Sequence, residues 1–256
     1  MSETVIQVTS LGKRIKGKTI LEDISFEINQ GDCVALIGPN GAGKTVLMSC
    51  ILGDKKPSSG QVLIDGKAGK AKNKIAVLLQ ENTIPNSLKV EELIAFFQSI
   101  SDNPLTNQEV QELLQFKEDQ YQQFADKLSG GQRRLLAFVL CLIDKPNILF
   151  LDEPTAGMDT STRQRFWEIV NDLKKSGVTI LYSSHYIEEV EHTADRILVL
   201  HQGKLIRDTT PYAMRHEEKE KQVTLPSSFV SIVHGLPDIY EITEKRDVIS
   251  FMTKDI

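Results

Sequence analysis

The sequence predicts an α/β fold with a parallel sheet, an N-terminal antiparallel β subdomain, an inserted helical subdomain and a small C-terminal accessory segment. Three short apolar runs, at 148–151, 179–183 and 197–200, have the length and composition of buried strands. A helical pattern over 163–175 separates the first two, and strands that alternate with helices indicate a parallel sheet. The chain has 256 residues, 40% of them hydrophobic, which is enough for one large core with smaller lobes.

The N-terminal region has the pattern of short strands. Ile24, Phe26 and Ile28 alternate with polar residues before a turn at 30–32. The fully apolar run that follows, 34–37, is typical of a buried strand. This region therefore mixes a hairpin, solvated on one face, with a strand of the core.

Two more strands are predicted at 62–64 and 75–79, on either side of a lysine-rich segment at 67–74. We interpret that segment as a solvated loop. The net charge of −5 argues against a general nucleic-acid-binding protein, which neutralises phosphates with an excess of Lys and Arg.

Between about residues 86 and 146 the hydrophobic period becomes helical, as in 90–97. Thr106 and Glu109 have the spacing of a capping box at the start of one helix. The change of period, between predicted strands on both sides, indicates an inserted helical subdomain.

The end of the chain differs in composition from the rest. After Pro211 a charged stretch is followed by strand-like pieces at 230–233 and 248–252. We therefore divide the sequence into a main domain, 1–210, and a small accessory segment, 211–256.

Several classes of protein are excluded by composition. The richest apolar runs, 135–143 and 148–151, are far shorter than the roughly 20 residues of a membrane-spanning helix. The N-terminus lacks the positive charge and apolar segment of a secretory signal, so a cytoplasmic location is expected. Cys33, Cys50 and Cys141 are odd in number and lack metal-ligand spacing, which predicts reduced cysteines in the core.

Residues 38–45 read Gly-Pro-Asn-Gly-Ala-Gly-Lys-Thr and match the phosphate-loop pattern G-x-x-x-x-G-K-[ST]. Glycines let consecutive backbone N–H groups face a phosphate, and the helix that follows adds the positive end of its dipole. Lys44 is expected to reach the β- and γ-phosphates of a nucleotide, and Thr45 a Mg²⁺ ion. The alternative is an ordinary glycine-rich turn, but the strand before it and the helical run after it favour a P-loop NTPase core.

The predicted strand 148–151 ends in two acids, Asp152 and Glu153, at the edge of a parallel sheet where ligands bind. Asp152 is placed to hold Mg²⁺, and Glu153 to accept a proton from an attacking water. A strand that merely ends in a polar turn is the alternative, and the phosphate loop upstream makes it the weaker one.

A third motif, Leu-Ser-Gly-Gly-Gln at 128–132, precedes a helical run that begins with Arg133 and Arg134. A Ser-Gly-Gly turn at the start of a helix is a second anion site, formed by the same physics as the first.

The three motifs in this order resemble the ATP-binding cassette (ABC) ATPases, and the resemblance covers about residues 4–210. Gln80, Asp159 and His185 stand where that family has its Q-loop glutamine, its D-loop aspartate and its switch histidine. Each of these alone would favour a structural interpretation, and their joint order reverses that. In the family two subunits pack head to tail, so each ATP lies between the phosphate loop of one and the signature of the other.

The resemblance implies a site for ATP and Mg²⁺. It implies catalytic roles for Glu153, His185 and Gln80, and Mg²⁺ ligation by Thr45, Gln80 and Asp152. The residues that it implies in nucleotide binding are Gly38, Pro39, Asn40, Gly41, Ala42, Gly43, Lys44, Thr45, Val46, Ile15, Ser129, Gly130, Gly131, Gln132 and Asp159.

Ile15 departs from the pattern of the family, many members of which place an aromatic residue there to stack on adenine. Without that ring the stacking is lost, which bears on ATP affinity and on base selectivity. Apolar contact from Ile15 or the guanidinium of Arg14 is a partial substitute.

The resemblance implies the ATPase subunit of a transporter, working as a homodimer or heterodimer with a separate transmembrane permease subunit, and lying peripherally on the inner face of the cell membrane. The compact helical subdomain and the run 184–189 are most similar to the multidrug, bacteriocin and polysaccharide exporter group. The alternative is a non-transport ABC ATPase that acts on ribosomes or DNA. A kinase, the third possibility, would have no use for the signature.

Overall fold

The computed structural model describes residues 3–66, 74–80, 84–85, 87–216, 221–236 and 239–253. Most of the predicted loop 67–74 lies outside the described residues, as does Asn86 at the predicted start of the helical subdomain. The chain divides into two compact units, Met1–Pro211 and Tyr212–Ile256.

The first unit is a mixed α/β structure. Its strands are β1 (Thr4–Ile15), β2 (Lys18–Asn29), β3 (Cys33–Ile37), β4 (Ser59–Ile64), β5 (Ile75–Leu78), β6 (Ile148–Leu151), β7 (Thr179–Ser184), β8 (Arg196–His201) and β9 (Lys204–Thr209). Its helices are α1 (Lys44–Ile51), α2 (Val90–Ser99), α3 (Asn107–Leu114), α4 (Glu118–Gln122), α5 (Gly130–Leu142), α6 (Thr160–Lys175) and α7 (Ile187–Thr193). Helix α8 (Pro211–His216) contains the boundary between the units. Within the described part of the chain, no helix combines the length and apolar character needed to cross a bilayer.

The central sheet has the strand order β5-β6-β7-β3-β8-β9. Its neighbouring strands run parallel except β8 and β9, which form an antiparallel edge. Every residue of β3, β6 and β7 is buried, as expected for strands covered on both faces. Because parallel strands end at one edge of the sheet, the turns after β3, β5, β6 and β7 lie at the same edge.

The N-terminal sheet has the order β2-β1-β4 and is antiparallel throughout. Ile24, Phe26 and Ile28 are buried on one face of β2, which gives the alternating pattern its physical basis. That face shares one apolar cluster with Val34 of β3 and Leu47 of α1. The fold class predicted from the sequence, with its parallel sheet and N-terminal antiparallel subdomain, is confirmed.

Helices α2 to α5 lie in the chain between β5 and β6 and form the predicted helical insertion. The capping box at the start of α3 is present. The Glu109 backbone N–H donates to Thr106 Oγ1 at 3.2 Å, and the Thr106 N–H donates to Glu109 Oε2 at 2.6 Å. These two bonds satisfy backbone donors that the first helical turn leaves open.

The second unit is a small antiparallel sheet of β10 (Lys221–Pro226), β12 (Val248–Thr253) and β11 (Ile239–Lys245), in that order. Its core contains Val233, Ile249 and Phe251. The strand predicted at 230–233 is wrong, because these residues form a short helix, α9 (Val230–Val233). A four-residue apolar run fits a strand or a buried helical turn equally well, and here Val233 is buried while Ile232 is 61% exposed.

The three cysteines are free thiols. Cys33 and Cys50 are buried, as predicted, but Cys141 is only partly buried. Its Sγ donates to the Val77 carbonyl at 3.4 Å, and burial raises its pKa to about 11. The Cys141 thiol therefore stays protonated and unreactive near neutral pH.

Candidate active site

The phosphate loop, residues 38–45, connects β3 to α1 and encloses the side chain of Lys44. Lys44 is the first residue of α1, is 6% exposed, and donates from Nζ to the Gly38 carbonyl at 2.8 Å. A Cβ at Gly38 would lie 2.1 Å from the Leu200 carbonyl oxygen, so only glycine fits between the loop and β8. Gly43, which caps α1, has a φ of 108°, a backbone conformation that residues other than glycine rarely adopt. The backbone here wraps closely around one ammonium group.

The other predicted residues of this loop differ in exposure. Pro39, Asn40, Gly41 and Thr45 are exposed, Gly43 and Val46 are partly buried, and Ala42 is buried. The Ala42 carbonyl accepts from the Gly203 N–H at 3.0 Å, which anchors the loop to the turn between β8 and β9.

Glu153, which follows β6, lies at the meeting point of three other predicted residues. Its Oε1 is 3.8 Å from Lys44 Nζ. Its Oε2 accepts from Gln80 Nε2 at 3.4 Å and lies 3.7 Å from His185 Nδ1. Gln80 follows β5 and His185 follows β7, so the shared edge of the parallel sheet brings these side chains together.

Asp152 and Glu153 are fixed by Ser183 of the neighbouring strand β7. The Ser183 hydroxyl donates to Asp152 Oδ1 at 2.5 Å and accepts from the Glu153 N–H at 2.9 Å. Asp152 is 2% exposed, and Glu153 has a φ of 44°, in the left-handed region. Such a conformation costs of order 1 kcal/mol in a non-glycine residue and persists where its surroundings hold it. Sequence reasoning missed Ser183, because only the pairing of β7 with β6 brings it next to the two acids.

His185 packs on its neighbour Tyr186, which Arg163 of α6 contacts in turn. Its ring packs on Tyr186 with centroids 4.1 Å apart, and the Arg163 guanidinium lies 5.3 Å from the Tyr186 ring centroid. Arg163 Nε is also 3.4 Å from Glu189 Oε1, in the first turn of α7. These contacts connect the turn after β7 to the helix that starts at the predicted D-loop.

The signature turn, residues 129–132, begins α5 with a capping box. Ser129 Oγ accepts from the Gln132 N–H at 3.2 Å, and Gln132 Oε1 accepts from the Ser129 N–H at 3.1 Å. Ser129 and Gly130 are exposed, whereas Gly131 is buried. A Cβ at Gly131 would lie 3.2 Å from Asp159 Oδ2, so the signature turn packs on the D-loop of the same chain.

Asp159 caps the start of α6. Its carboxylate accepts from the Ser161 hydroxyl at 2.7 Å and from the Thr162 N–H at 3.0 Å. These hydrogen bonds hold the pKa of Asp159 well below its usual range, and the bond from Ser161 has the largest effect. The side chain is therefore ionised, and it fixes the D-loop to the first turn of the helix.

Ile15 lies at the end of β1, 37% exposed, and pairs with Lys18 across the hairpin. The same hairpin reaches the phosphate loop, because a Cβ at Gly43 would lie 2.7 Å from Leu21 Cδ2. The hairpin therefore flanks the loop.

A nucleotide with Mg²⁺ fits the chemistry of these residues. The loop presents a buried ammonium and a backbone too tight for a Cβ, which suits phosphate oxygens. The Thr45 hydroxyl, the Gln80 amide and the Asp152 carboxylate are the oxygen donors that Mg²⁺ prefers. Within the described residues, no three His, Cys, Asp or Glu side chains cluster as a metal site.

Arg134 is a further residue of this site that sequence reasoning missed. It is 9% exposed and donates to backbone carbonyls of the turns after β5 and β6. A signal for it exists in the sequence, because Arg134, Phe138 and Leu142 recur every four residues and share one face of α5. A charged residue on an apolar helix face indicates a buried partner.

A model of the ABC transporter family matches residues 21–156, more than half of the chain. The chain belongs to the ABC transporter family. Three known proteins show how far the similarity extends. A probable multidrug ABC transporter ATP-binding protein of Escherichia coli is 31% identical over 244 residues, which are 91% of this chain and 42% of that protein. The chain thus spans less than half the length of this relative.

The Nod factor export ATP-binding protein I of Burkholderia orbicola is 33% identical over 227 residues, covering 85% of this chain and 75% of that protein. The solved structure of an ATP-binding subunit of an ABC transporter superposes with a TM-score of 0.72 at 26% identity. That superposition covers 83% of this chain and 92% of the other. The ABC family model includes the phosphate loop, Gln80, the signature turn and Glu153, and ends before Asp159 and His185.

Proposed function

We propose that this ABC protein binds and hydrolyses ATP and thereby powers export through a separate transmembrane subunit. The observation that carries the proposal is the convergence of Lys44, Gln80 and His185 on the carboxylate of Glu153. Four side chains from four different turns meet at one edge of the sheet, next to a loop built for phosphate.

In this proposal ATP is the substrate, and its β- and γ-phosphates bind to Lys44 and to backbone N–H groups of the loop 38–45, of which Pro39 has none. Thr45, Gln80 and Asp152 would hold Mg²⁺, which supplies positive charge against the phosphate oxygens. Ser183 keeps the Asp152 carboxylate in a fixed orientation through its 2.5 Å bond.

Glu153 is proposed as the general base that takes a proton from the attacking water. The Gln80 amide and the His185 ring both lie against Glu153 Oε2, so they orient the carboxylate. The left-handed backbone of Glu153, fixed by Ser183, directs the side chain toward Lys44. These residues position the proton acceptor before the reaction begins.

We further propose that the working form is a dimer, either of two copies or of this chain with a related one. Ser129, Gly130 and Asp159 are exposed at the signature turn and the D-loop, as a surface that completes the site of a second subunit requires. ATP would then lie between the phosphate loop of one subunit and the signature of the other. Its hydrolysis would release the closed pair.

The proposed transmembrane partner and the direction of transport rest on the relatives, which are named for multidrug transport and Nod factor export. Apolar side chains on the helical subdomain and just before Gln80 support a docking surface for such a partner. Leu79, Phe96 and Ile100 are 46%, 55% and 65% exposed. The chain would then act peripherally on the cytoplasmic face of the membrane.

The variant Glu153→Gln tests the catalytic part of the proposal. It removes the proton acceptor and keeps the shape, so ATP binding should persist while turnover falls by roughly 100-fold or more. ATP should also shift the variant to a dimer in size-exclusion chromatography. The matched control is Glu168→Gln on α6, whose side chain is 49% exposed and lies in an ion pair with Arg165. Turnover close to that of the parent protein in Glu153→Gln would remove Glu153 from its role.

Transport is tested by purifying the tagged protein from gently solubilised native membranes and identifying what co-purifies in stoichiometric amount. A polytopic membrane subunit supports the transporter proposal and narrows the substrate class. Ribosomal proteins or DNA-repair factors without a membrane subunit would support a non-transport ABC ATPase instead.

A further inference from the structure

Arg134 is a buried cation that binds the backbone of two separate turns. Its Nε donates to the Pro154 carbonyl at 3.0 Å. Its Nη1 donates to the carbonyls of Leu79 at 2.5 Å and Gln80 at 3.1 Å. Its Nη2 donates to the carbonyls of Asp152 at 3.0 Å and Glu153 at 3.4 Å. A guanidinium has five N–H groups in a planar fork, so these bonds use its full donor capacity.

These carbonyls belong to the two turns that carry the proposed catalytic residues Gln80 and Glu153. Their oxygens converge on one point, where negative ends of peptide dipoles repel one another unless a cation lies between them. Desolvation by burial lowers the pKa of Arg134 from its usual range, and the carbonyl oxygens around the guanidinium take up all of its N–H donors. One side chain thus fixes the spacing of the two turns.

Arg134 also connects these turns to the signature. It is the fifth residue of α5, whose first residue is Gly130 and whose cap is Ser129. At 1.5 Å of rise per residue, Arg134 lies roughly 6–8 Å along the helix axis from the start of the signature turn, at Ser129 and Gly130. A short helix transmits a displacement of its start to Arg134 as a nearly rigid body.

We propose that Arg134 is a positioning residue for ATP hydrolysis: it holds the main chains of Gln80 and Glu153 together and joins them to the helix that begins at the signature turn. The proposal rests on the function proposed above. In a dimer, contact of the signature turn with the nucleotide of the second subunit would act through α5 on the catalytic residues of its own subunit.

The test uses Arg134→Lys in the full chain, because lysine keeps the charge and loses the planar fork. An ammonium offers three donors from one atom and does not reach all these carbonyls. The matched control is Arg165→Lys. Arg165 also donates to backbone carbonyls, those of Leu113 at 3.1 Å and Glu112 at 2.5 Å, which lie in the helical subdomain.

We expect Arg134→Lys to lower kcat by roughly 10- to 100-fold, as a misplacement of about 1 Å in a catalytic group does. The equilibrium Kd of ATP should change less than about threefold, because Arg134 does not contact the phosphate loop. In the double variant Arg134→Lys, Gln80→Ala the fold-loss in kcat should be smaller than the product of the fold-losses in the two single variants, since Arg134 acts through Gln80. Arg165→Lys should keep its kcat.

Three results would each overturn the proposal. They are an unchanged kcat in Arg134→Lys, an equal loss of kcat in Arg165→Lys, and a loss of kcat in the double variant equal to the product of the two single losses. Arg134→Gln serves as a second variant, and loss of folding in both would assign Arg134 to stability alone. ATP hydrolysis by the parent protein, measured in the same assay, distinguishes failure of the positioning role from failure of the function proposed above. Absence of ATP hydrolysis by the parent contradicts the proposed function, whereas hydrolysis without an effect of Arg134→Lys contradicts only the positioning role.

Discussion

The phosphate loop and the signature turn are both glycine-containing turns that lead into a helix, yet the chain uses their glycines differently. In the phosphate loop a Cβ at Gly38 would meet the Leu200 carbonyl at 2.1 Å, and Gly43 has a φ of 108°. In the signature turn Gly130 and Gly131 are the first residues of α5, and no described residue outside the start of this helix has an atom within 4 Å of a Cβ at Gly130. The first loop needs its glycines for its own fold, and the second does not need Gly130.

This difference shows what each glycine accomplishes. Glycine is a poorer helix former than alanine, by roughly 0.5–1 kcal/mol in a helix interior, so at the first position of α5 Gly130 costs up to about that much stability. Among the described residues it relieves no close contact. An exposed backbone at this position is what the close approach of the proposed second subunit requires. The phosphate loop is complete within one chain, whereas the signature turn is suited to a second surface.

The largest effect is expected for Gly38→Ala. The added methyl group collides with a backbone carbonyl of β8, which cannot rotate away as a side chain can. We expect a loss of roughly 1–3 kcal/mol in the free energy of unfolding, as overpacking gives. ATP affinity should fall by about 100-fold or more, because the loop can no longer wrap around Lys44. Chemical denaturation and equilibrium binding of ATP measure the two quantities, and normal values of both would contradict this account of the loop.

The matched change in the signature turn, Gly130→Ala, should have the opposite effect on stability. We expect the free energy of unfolding to stay equal or to rise by up to about 1 kcal/mol, because alanine is the better helix former and its methyl group meets no described residue outside the start of α5. The ATP-dependent dimer of Glu153→Gln should weaken by roughly 10-fold, since the methyl group lies where the second subunit is proposed to bind. The dimer is measured by analytical ultracentrifugation with ATP. A lower free energy of unfolding in Gly130→Ala, or an unchanged dimer affinity, would contradict the proposed difference between the two turns.

Much of this architecture could be predicted from the sequence because local patterns carry it. Two apolar strands, one before Gly38 and one before Asp152, each predict a turn at the edge of the sheet. These turns do lie at one edge. The hydrophobic period also separated the helical insertion from the strands on either side. Such features depend on neighbours in the chain.

Features that depend on long-range contacts could not be predicted in the same way. The strand order β5-β6-β7-β3-β8-β9 and the antiparallel edge strand β9 follow from packing. Ser183 binds both acids from 30 and 31 residues away, and Arg134 binds carbonyls up to 55 residues away. The run at 230–233 was misassigned because its four apolar residues carry too little periodicity to separate a strand from a helical turn.

The smallest effect is expected at Ile15. A substitution there shows whether contact of the adenine base with the end of β1 adds to the affinity that the phosphate loop provides. Replacing Ile15 by Tyr offers a ring for stacking on adenine, which is worth about 0.5–1.5 kcal/mol, or roughly a 2- to 10-fold tighter Kd of ATP. Ile206→Tyr is the matched control, because Ile206 is an exposed isoleucine on the edge strand β9, 56% exposed. Because stacking reads no hydrogen-bonding pattern, GTP should gain by a similar factor. Unchanged Kd values for both nucleotides in Ile15→Tyr would mean that the base does not reach the end of β1, and that the phosphate loop carries the affinity without it.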